Sequence, residues 1–523
     1  MQRPGASIKI AAFAAFVLSA LLSQLRLTAQ ALPHQQSEAT QPDASWPARG
    51  DTPDDLLKAC SGYALDLDPA ERAFLLYRIA NAGATLQYSE SADWARQAFT
   101  AASSLPKNWN RMALQKNALL ALAKSRPLEA LNLLRTVEGP DFAGGVRPGE
   151  DPRSDATREI FPAVYKAGGE ESLRSIEEVS VFLAQTGEFP YMGWGALLPN
   201  LSADDPDAFR EGLSLAIHSY GRAEDRFRGQ DEDFLDMVDE VQNAAGAAEM
   251  KAAVETALDH LSSETVPQNE TYSGTAGSGG ARATFSNWKA EVLYEWLPLV
   301  KKFDPDRYKD AEAKVGAPAP DAKPAQASSE IIGDKGSISP AVRKLAADRL
   351  QAQLVINDAA TNPDIALKEA AKTESLAIRA DALAQAAANV PKDHAADQKR
   401  LLAASKSSLD RDETKDEAFL HALSDLTNSY YRLGMTGEAL DGIRSGLELG
   451  LEVVNESADG HPGTPTMLLG GYSDLAQMVS VGMHLDARLV LRSVRGLRDG
   501  AVKANLMVDV AIALGTQQPG VPA

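Results

Sequence analysis

The chain has 523 residues, of which 44% are hydrophobic and 6% aromatic, and its formal net charge is −20. This hydrophobic content is ample for sizeable cores, and the scarcity of aromatic residues favours tightly packed helices over a β-rich fold. The acidic balance argues against a general nucleic-acid binder and against a protein that binds anionic membranes.

Residues 1–31 are typical of a secretory signal peptide. Arg3 and Lys9 supply the positive start, residues 10–22 form a short apolar run, and residues 29–31 (Ala-Gln-Ala) offer a small-x-small cleavage site. The apolar run is shorter than the roughly 20 residues that a membrane span needs, and a retained membrane anchor is the alternative interpretation. The sequence therefore predicts export to the periplasm or the extracellular space, with no membrane span after cleavage.

Proline-rich and polar stretches divide the rest of the chain into predicted segments. In chain order these are a disordered lead-in at 32–50, an N-terminal helical region at 51–312 with a mobile Gly/Ser/Thr loop at 262–285, an Ala/Pro-rich linker at 313–340, a C-terminal helical-repeat region at 341–515 and a tail at 516–523.

Cys60 is the only cysteine, which excludes an intramolecular disulfide. It lies in an apolar-periodic stretch at 56–67 and is predicted to be a small core residue. A reactive or partner-linked thiol is the alternative.

The clearest structural pattern runs from Thr414 to Val454 and predicts two amphipathic helices joined at Gly434. Thr414 and Glu417 have the spacing of a capping box, and Thr436 is placed to cap the second helix. One hairpin cannot bury two apolar stripes, so it must stack on neighbours. The stripes are Phe419, Leu423, Leu426 and Tyr430 in the first helix, and Ala439, Leu440, Ile443, Leu447, Leu451 and Val454 in the second.

This hairpin resembles the tetratricopeptide repeat, whose pattern places Trp, Leu, Gly, Tyr, Ala, Phe and Pro at fixed spacings. Leu426, Tyr430 and Ala439 match the pattern, whereas Leu423, Thr427, Ile443 and Leu451 stand in place of its Trp, Gly, Phe and Pro. The resemblance covers about one repeat and implies stacked helical hairpins. Together with weaker, unevenly spaced copies elsewhere, it predicts an all-α fold, an irregular α-solenoid of two helical regions joined by the linker.

The sequence predicts no catalytic residue, no cofactor and no metal site. The seven histidines form no His-x3-His pair, and a single cysteine excludes thiolate zinc sites. The acids at 231–239 depart from a calcium loop because Leu235 occupies a ligand position, so they are interpreted as the acidic start of a helix. Sequence spacing does not reveal whether distant residues converge on a metal, or whether two of the 72 acidic residues form a pair for sugar hydrolysis.

Two surfaces are candidates for binding a partner. Phe189, Tyr191 and Trp194 lie within the segment 189–195, which Pro and Gly punctuate. The segment predicts a loop that presents aromatic anchors to a peptide or a sugar. The alternative is a connector that packs onto the helices.

The second candidate surface is an arginine stripe near the C-terminus, formed by Arg488, Arg492, Arg495 and Arg498. Their spacings of 4, 3 and 3 place them on one helical face. In an acidic protein this stripe is predicted to bind an anionic partner or an acidic patch on the other half of the chain. An ordinary solvated face is the alternative.

These observations predict an exported, non-catalytic scaffold for protein–protein interaction in the periplasm or cell envelope. The protein partner and the oligomeric state are left open by the sequence, and no nucleic-acid partner is expected. The alternative function is an all-α toroid enzyme that acts on envelope or extracellular polysaccharide.

Overall fold

The fold is all-α, as the sequence predicts. The computed structural model describes residues 50–139, 151–223, 229–263, 272–275, 282–285, 287–315, 319–320, 340–359, 361–460, 470–497 and 500–516. These residues form 21 α-helices, a short 3-10 helix at Lys392–His394 and a small three-stranded sheet.

Thirteen α-helices begin before the predicted linker, and the last of them extends into it. They are α1 Pro53–Ala64, α2 Pro69–Thr85, α3 Ser91–Ser103, α4 Trp109–Ala123, α5 Pro127–Leu134, α6 Pro152–Gly168, α7 Glu170–Thr186, α8 Tyr191–Asp204, α9 Pro206–Gly221, α10 Gln230–Val241, α11 Ala247–Ser263, α12 Trp288–Phe303 and α13 Tyr308–Val315.

Eight α-helices follow it. They are α14 Pro340–Ala359, α15 Pro363–Ala370, α16 Leu376–Asn389, α17 Ala395–Leu409, α18 Glu417–Arg432, α19 Thr436–Gly460, α20 Tyr472–Gly496 and α21 Gly500–Thr516.

Many of these helices begin at the same local signal, a capping side chain followed by proline. The cap oxygen accepts a hydrogen bond from a backbone N–H of the first turn, and proline has no N–H to leave unsatisfied at that position. The capping pairs are Thr52–Pro53, Asp68–Pro69, Asp151–Pro152, Asp205–Pro206 and Asn362–Pro363.

The helices are stacked as hairpins, and the first helices of successive hairpins pack on one another in one row. The order of this row is α14, α16, α18, α20, α21, α2, α4, α6, α8, α10 and α12. Within α20 the backbone of Asp486 departs from helical geometry (φ −151°, ψ 81°), so the part after it turns away as the second helix of its hairpin. The side chain of Asp486 caps that second part by accepting from Leu489 N at 2.9 Å.

The two ends of the described chain meet within this row, because α21 packs against both α1 and α2. The thiol of Cys60 in α1 donates to the backbone oxygen of Ala504 in α21 at 3.3 Å. Arg78 in α2 pairs with Asp509 and donates to the hydroxyl of Tyr472 at 2.9 Å. Cys60 is fully buried, which confirms that it is a core residue.

The hairpin at Thr414–Val454 has the predicted helices and the predicted break. Gly434 lies between them at φ +72°, a conformation that glycine adopts without steric cost. The predicted capping box is wrong, because Thr414 bonds to Asp412 and the cap of α18 is Asp416, which accepts from Phe419 N at 3.1 Å. The second helix runs on to Gly460, beyond the usual length of a tetratricopeptide helix.

The small sheet is an element that the sequence did not predict. Strands β1 (Tyr272–Thr275) and β2 (Arg282–Phe285) pair antiparallel, and β3 (Ala319–Pro320) pairs with β2. The first two strands lie inside the segment 262–285, for which a loop was predicted. The predicted signal peptide at 1–31 and most of the predicted linker lie outside the described residues.

Candidate functional site

The three aromatic side chains predicted to bind a partner are buried. Phe189, Tyr191 and Trp194 are 4%, 0% and 1% exposed. The predicted loop is helical from Tyr191 onward, which turns these side chains into the core. A partner could reach them only if this part of the fold opened.

Their contacts are those of core residues. The indole N–H of Trp194 donates to the hydroxyl of Ser180 at 2.9 Å, and the ring packs edge-on against Phe161 at 6.2 Å between centroids. The ring of Tyr191 lies 5.4 Å from that of Phe234. The connector alternative accounts for all of these contacts.

The arginine stripe lies on the second part of α20, where Arg488, Arg492 and Arg495 are exposed. Arg495 pairs with Asp51 and donates to the backbone oxygen of Gly50 at 2.7 Å. This residue therefore contacts the N-terminal part of the chain. Arg498 lies outside the described residues.

Three side chains from two neighbouring first helices converge at a site that the sequence did not reveal. Asp381 lies on α16, and His421 and Asp425 lie one turn apart on α18. One ring nitrogen of His421 and one carboxylate oxygen from each aspartate lie within 4.8 Å of one another. Among the described residues, this is the one group of three histidine, cysteine or acidic side chains with ligand atoms so close together.

Alanine and serine residues bring the two helices of this site close together. Four alanines at 382, 384, 386 and 387 of α16 are fully buried, and small side chains allow close helix packing. The hydroxyl of Ser429 on α18 donates to the backbone oxygen of Ala384 at 3.1 Å. Ser405 on α17 donates to the backbone oxygen of Ala380 at 2.7 Å. The position of Asp381 against α18 is therefore fixed by buried contacts on both sides.

Polar neighbours orient each of the three side chains. Nδ1 of His421 donates to Oδ1 of Asp474 on α20 at 2.9 Å. The amide nitrogen of Gln385 donates to Oδ1 of Asp381 at 2.9 Å and to Oδ2 of Asp425 at 3.0 Å. The side chain of Asp474 is 7% exposed, whereas that of His421 is 51% exposed. The cluster is therefore buried on the side of Asp474 and exposed to solvent on the side of His421.

The electrostatics of the site follow from these neighbours. Burial and the adjacent Asp425 carboxylate raise the pKa of Asp381 to about 6. The hydrogen bond to Asp474 raises the pKa of His421 to about 9, against the opposing effect of burial. The site therefore favours a positive charge between the carboxylates, supplied either by a proton on the imidazole or by a bound cation.

A second group of acids is enclosed where the N-terminal ends of α6, α8 and α10 meet. Asp151, Glu188, Asp231 and Asp233 are at most 8% exposed. The buried guanidinium of Arg153 donates to Oδ2 of Asp151 at 2.7 Å. Burial and Asp233 raise the pKa of Glu188 well above its usual value. Helix N-termini stabilise such carboxylates, and their enclosure prevents contact with a sugar substrate.

A third group of acids lies on the accessible side of the first helices, at the far end of the row. We call Glu232 and Asp236 of α10 and Glu291 and Glu295 of α12 the acidic patch. Burial, followed by the charges of Glu232, Glu291 and Asp236, raises the pKa of Glu295 to about 7. Glu295 is therefore repelled by the other three carboxylates, whereas Arg158 opposes the rise that burial causes in the pKa of Asp236.

The second helices form a separate cleft of about 460 Å³ between α9 and α11. Its lining includes His218, Arg222 and Glu249. It does not include any residue of the His421 cluster or of the acidic patch.

Comparisons with protein-family models, with curated proteins and with solved structures gave no match. The resemblance to the tetratricopeptide repeat therefore stays a prediction. In the part of the chain that the structure describes, no helix combines the length and apolar character that a membrane crossing requires.

One signal in the sequence could have indicated part of the His421 cluster. His421 and Asp425 are four residues apart in a predicted helix, so they share one face. Asp381 and Asp474 lie 40 or more positions away from His421, and only the packing of α16 and α20 against α18 brings them together. The acidic patch arises in the same way, from two helices that are distant in sequence.

Proposed function

We propose that this chain is an exported helical-repeat protein that acts as a non-catalytic scaffold for protein–protein interaction. In this proposal the partner binds along the accessible side of the first helices. The partner carries a basic segment, which is attracted by the acidic patch.

The accessible side of the first helices is a narrow polar surface, which we call the first-helix face. On each helix the accessible positions recur every three or four residues, so they line up along one side. In the C-terminal part they are Ile378, Asp381, Gln385 and Ala388 on α16, His421, Asp425 and Asn428 on α18, and Ser473, Gln477 and Ser480 on α20. In α16, in α18 and in the part of α20 before His484, most other residues are buried, so this face is the main accessible surface of these helices.

The packing supports a binding role for this face. The first helices contact their successors along the whole row, and the second helices of successive hairpins pack less extensively except at α9 and α11, which pack more closely than α10 and α12 do. Closer packing of the first helices, as from α14 to α8, is the arrangement expected on the inner side of a curved stack, and stacked helical repeats bind their partners on that side.

The acidic patch carries the proposal. Burial, followed by the charges of Glu232, Glu291 and Asp236, raises the pKa of Glu295 to about 7. This repulsion disfavours the charged form of Glu295 in the free protein. Lysine or arginine side chains of a partner would relieve it, and charge complementarity of this kind gives an interface its specificity and its association rate.

A charge-reversal experiment tests this proposal. The double variant E291K/E295K places two positive charges in the patch. E448K/E452K is the matched control, because Glu448 and Glu452 have the same i, i+4 spacing and are exposed on a second helix, α19. The tagged protein is incubated with an envelope extract, and bound proteins are quantified against extract concentration.

We expect saturable capture of a basic protein by the wild type and by E448K/E452K, and loss of that capture in E291K/E295K. Equal capture by all three proteins, or no saturable capture by the wild type, would contradict the proposal. Circular dichroism confirms that the variants keep their helix content.

Export is the second part of the proposal and rests on residues 1–31, which lie outside the described residues. N-terminal sequencing of protein purified from the periplasm or the medium tests it. We expect the mature chain to begin at Leu32, after the Ala-Gln-Ala site. Protein found only inside the cell with residues 1–31 retained would contradict export.

A further inference from the structure

The convergence of Asp381, His421 and Asp425 suggests a ligand for them. Their ligand atoms lie within 4.8 Å of one another. Zinc–nitrogen and zinc–oxygen bonds of about 2.0–2.2 Å place tetrahedral ligand atoms roughly 3.4 Å apart. Side-chain rotations that move these atoms by about 1 Å close the difference. We propose that Asp381, His421 and Asp425 bind a divalent transition cation of the zinc class.

The donor set determines the class of cation. It offers one imidazole nitrogen and two carboxylate oxygens. Calcium and magnesium prefer all-oxygen sites, whereas an imidazole ligand suits zinc and its first-row neighbours. Two carboxylates and a neutral imidazole carry a charge of about −2, which a divalent cation balances. Three protein ligands leave a fourth position for water or for a group of a binding partner.

The surroundings of His421 have the form that metal-bound histidines show. Histidine ligands usually donate their second ring N–H to a carboxylate, which fixes the tautomer and the ring orientation. Nδ1 of His421 donates to the buried Asp474 at 2.9 Å, and the proposal assigns Nε2 to the cation. Ser424 in turn donates to the backbone oxygen of Asp474 at 3.3 Å. Asp474 is therefore assigned as a positioning residue.

The pair of carboxylates is the feature that ordinary helix packing does not explain. Asp381 and Asp425 face each other across the α16–α18 contact and share the amide of Gln385. Two carboxylates in contact repel each other unless they share a proton or a positive charge lies between them. The competing account is that protonated His421 supplies this charge by itself, and a metal titration distinguishes the two.

The test is a zinc titration of the purified, chelator-treated protein by calorimetry, with cobalt absorption as a second probe. Variants H421A, D381N and D425N each remove one ligand, and the two asparagine variants keep the side-chain shape. H394A is the matched control. His394 is exposed at the start of α17 and lies 3.5 Å from Asp397, but it belongs to no convergent set among the described residues.

We expect the wild type and H394A to bind one zinc equivalent that each of the three ligand variants loses. D474N should keep the stoichiometry and bind zinc about 10–100-fold more weakly, because it disturbs only the orientation of the ring. The visible spectrum of cobalt should change on binding to the wild type and not to H421A.

Equal zinc stoichiometry and affinity in the wild type, H421A and D425N would overturn the proposal, and so would the absence of zinc binding to the wild type. Either result leaves protonated His421 as the positive charge of the cluster. If H421A does not fold, D381N and D425N decide the outcome. This test does not depend on the proposed scaffold function, because zinc binding is measured on the purified protein without a partner.

Discussion

Arg78 in the second helix and Asp509 in the last helix form an ion pair across the joint between the two ends of the described chain. Their side chains are 12% and 19% exposed. The hydroxyl of Tyr472 links them, since it accepts from Arg78 at 2.9 Å and donates to Asp509 at 3.2 Å. The joint is therefore a hydrogen-bonded network as well as an apolar contact.

Replacing Arg78 by methionine should destabilise the protein by about 3 kcal/mol, because it leaves the Asp509 carboxylate in a poorly solvated site without its partner. Urea denaturation measures the change. The double variant R78M/D509L should lose less stability than R78M alone. R210M is the control, since it breaks an exposed pair with Asp207 and should leave the midpoint nearly unchanged. Equal midpoints for R78M and R210M would show that the ends are not joined in solution.

Gly450 permits the close approach of α19 to α20. A Cβ at this position would overlap the buried side chain of Leu475. Gly450→Ala should therefore destabilise the protein by about 1–3 kcal/mol through overpacking. Gly437→Ala in the same helix meets no neighbouring atom and should stabilise it by about 0.5–1 kcal/mol. Thermal or urea unfolding compares the two, and a stabilising G450A would refute the described packing of α19.

The buried Glu188 should make stability depend on pH. Burial and the neighbouring Asp233 raise its pKa well above the usual value. Between the unfolded and folded pKa values the folded state therefore binds more protons than the unfolded state, and its stability falls as pH rises. This contribution is fully present below the unfolded pKa and is lost as pH rises through the folded pKa.

Urea midpoints between about pH 5 and 9 measure this effect. Glu188→Gln keeps the shape of the side chain without a proton to lose, so its midpoint should fall less with pH than that of the wild type. Glu171→Gln, an exposed change on α7, should retain the wild-type slope. If the urea midpoints of E188Q and of the wild type fall equally as pH rises, Glu188 is not the group whose protonation makes stability depend on pH.

The thiol of Cys60 should be unreactive in the folded protein. It is fully buried, and burial raises its pKa to about 12, so the thiolate that attacks thiol reagents is nearly absent. A colorimetric thiol reagent should detect no thiol in the native protein and one thiol per chain in guanidinium. Rapid labelling of the native protein would support the reactive-thiol alternative instead.

The all-α fold and the core position of Cys60 could be predicted because they depend on local periodicity. The break at Gly434 was predicted for the same reason, since the helix stop is local. The capping prediction failed because two candidates, Thr414 and Asp416, lie side by side, and only the backbone geometry selects Asp416. The burial of Trp194 matches the connector alternative, which the Pro and Gly residues of the segment 189–195 could not separate from an exposed loop.

The candidate sites depend on contacts between distant parts of the chain. Asp381 on the preceding hairpin and Asp474 on the following one lie close to His421 in the structure. No sequence pattern indicates either of these contacts. The joint of α21 with α1 and α2 is also non-local, since it brings residues more than 400 positions apart into contact. Hydrophobic periodicity identifies which face of a helix is buried and does not identify its neighbour.

Site-specific photo-crosslinking in cells tests most directly whether the first-helix face binds a partner. A photoreactive residue is placed at Asp236 or Gln385 on that face, and at Glu448 on a second helix as the control. We expect the same discrete adduct from the photoreactive residue at Asp236 and at Gln385, loss of this adduct when E291K/E295K is added, and no such adduct from Glu448. An adduct formed only from Glu448, or no adduct from either position of the first-helix face, would contradict this expectation.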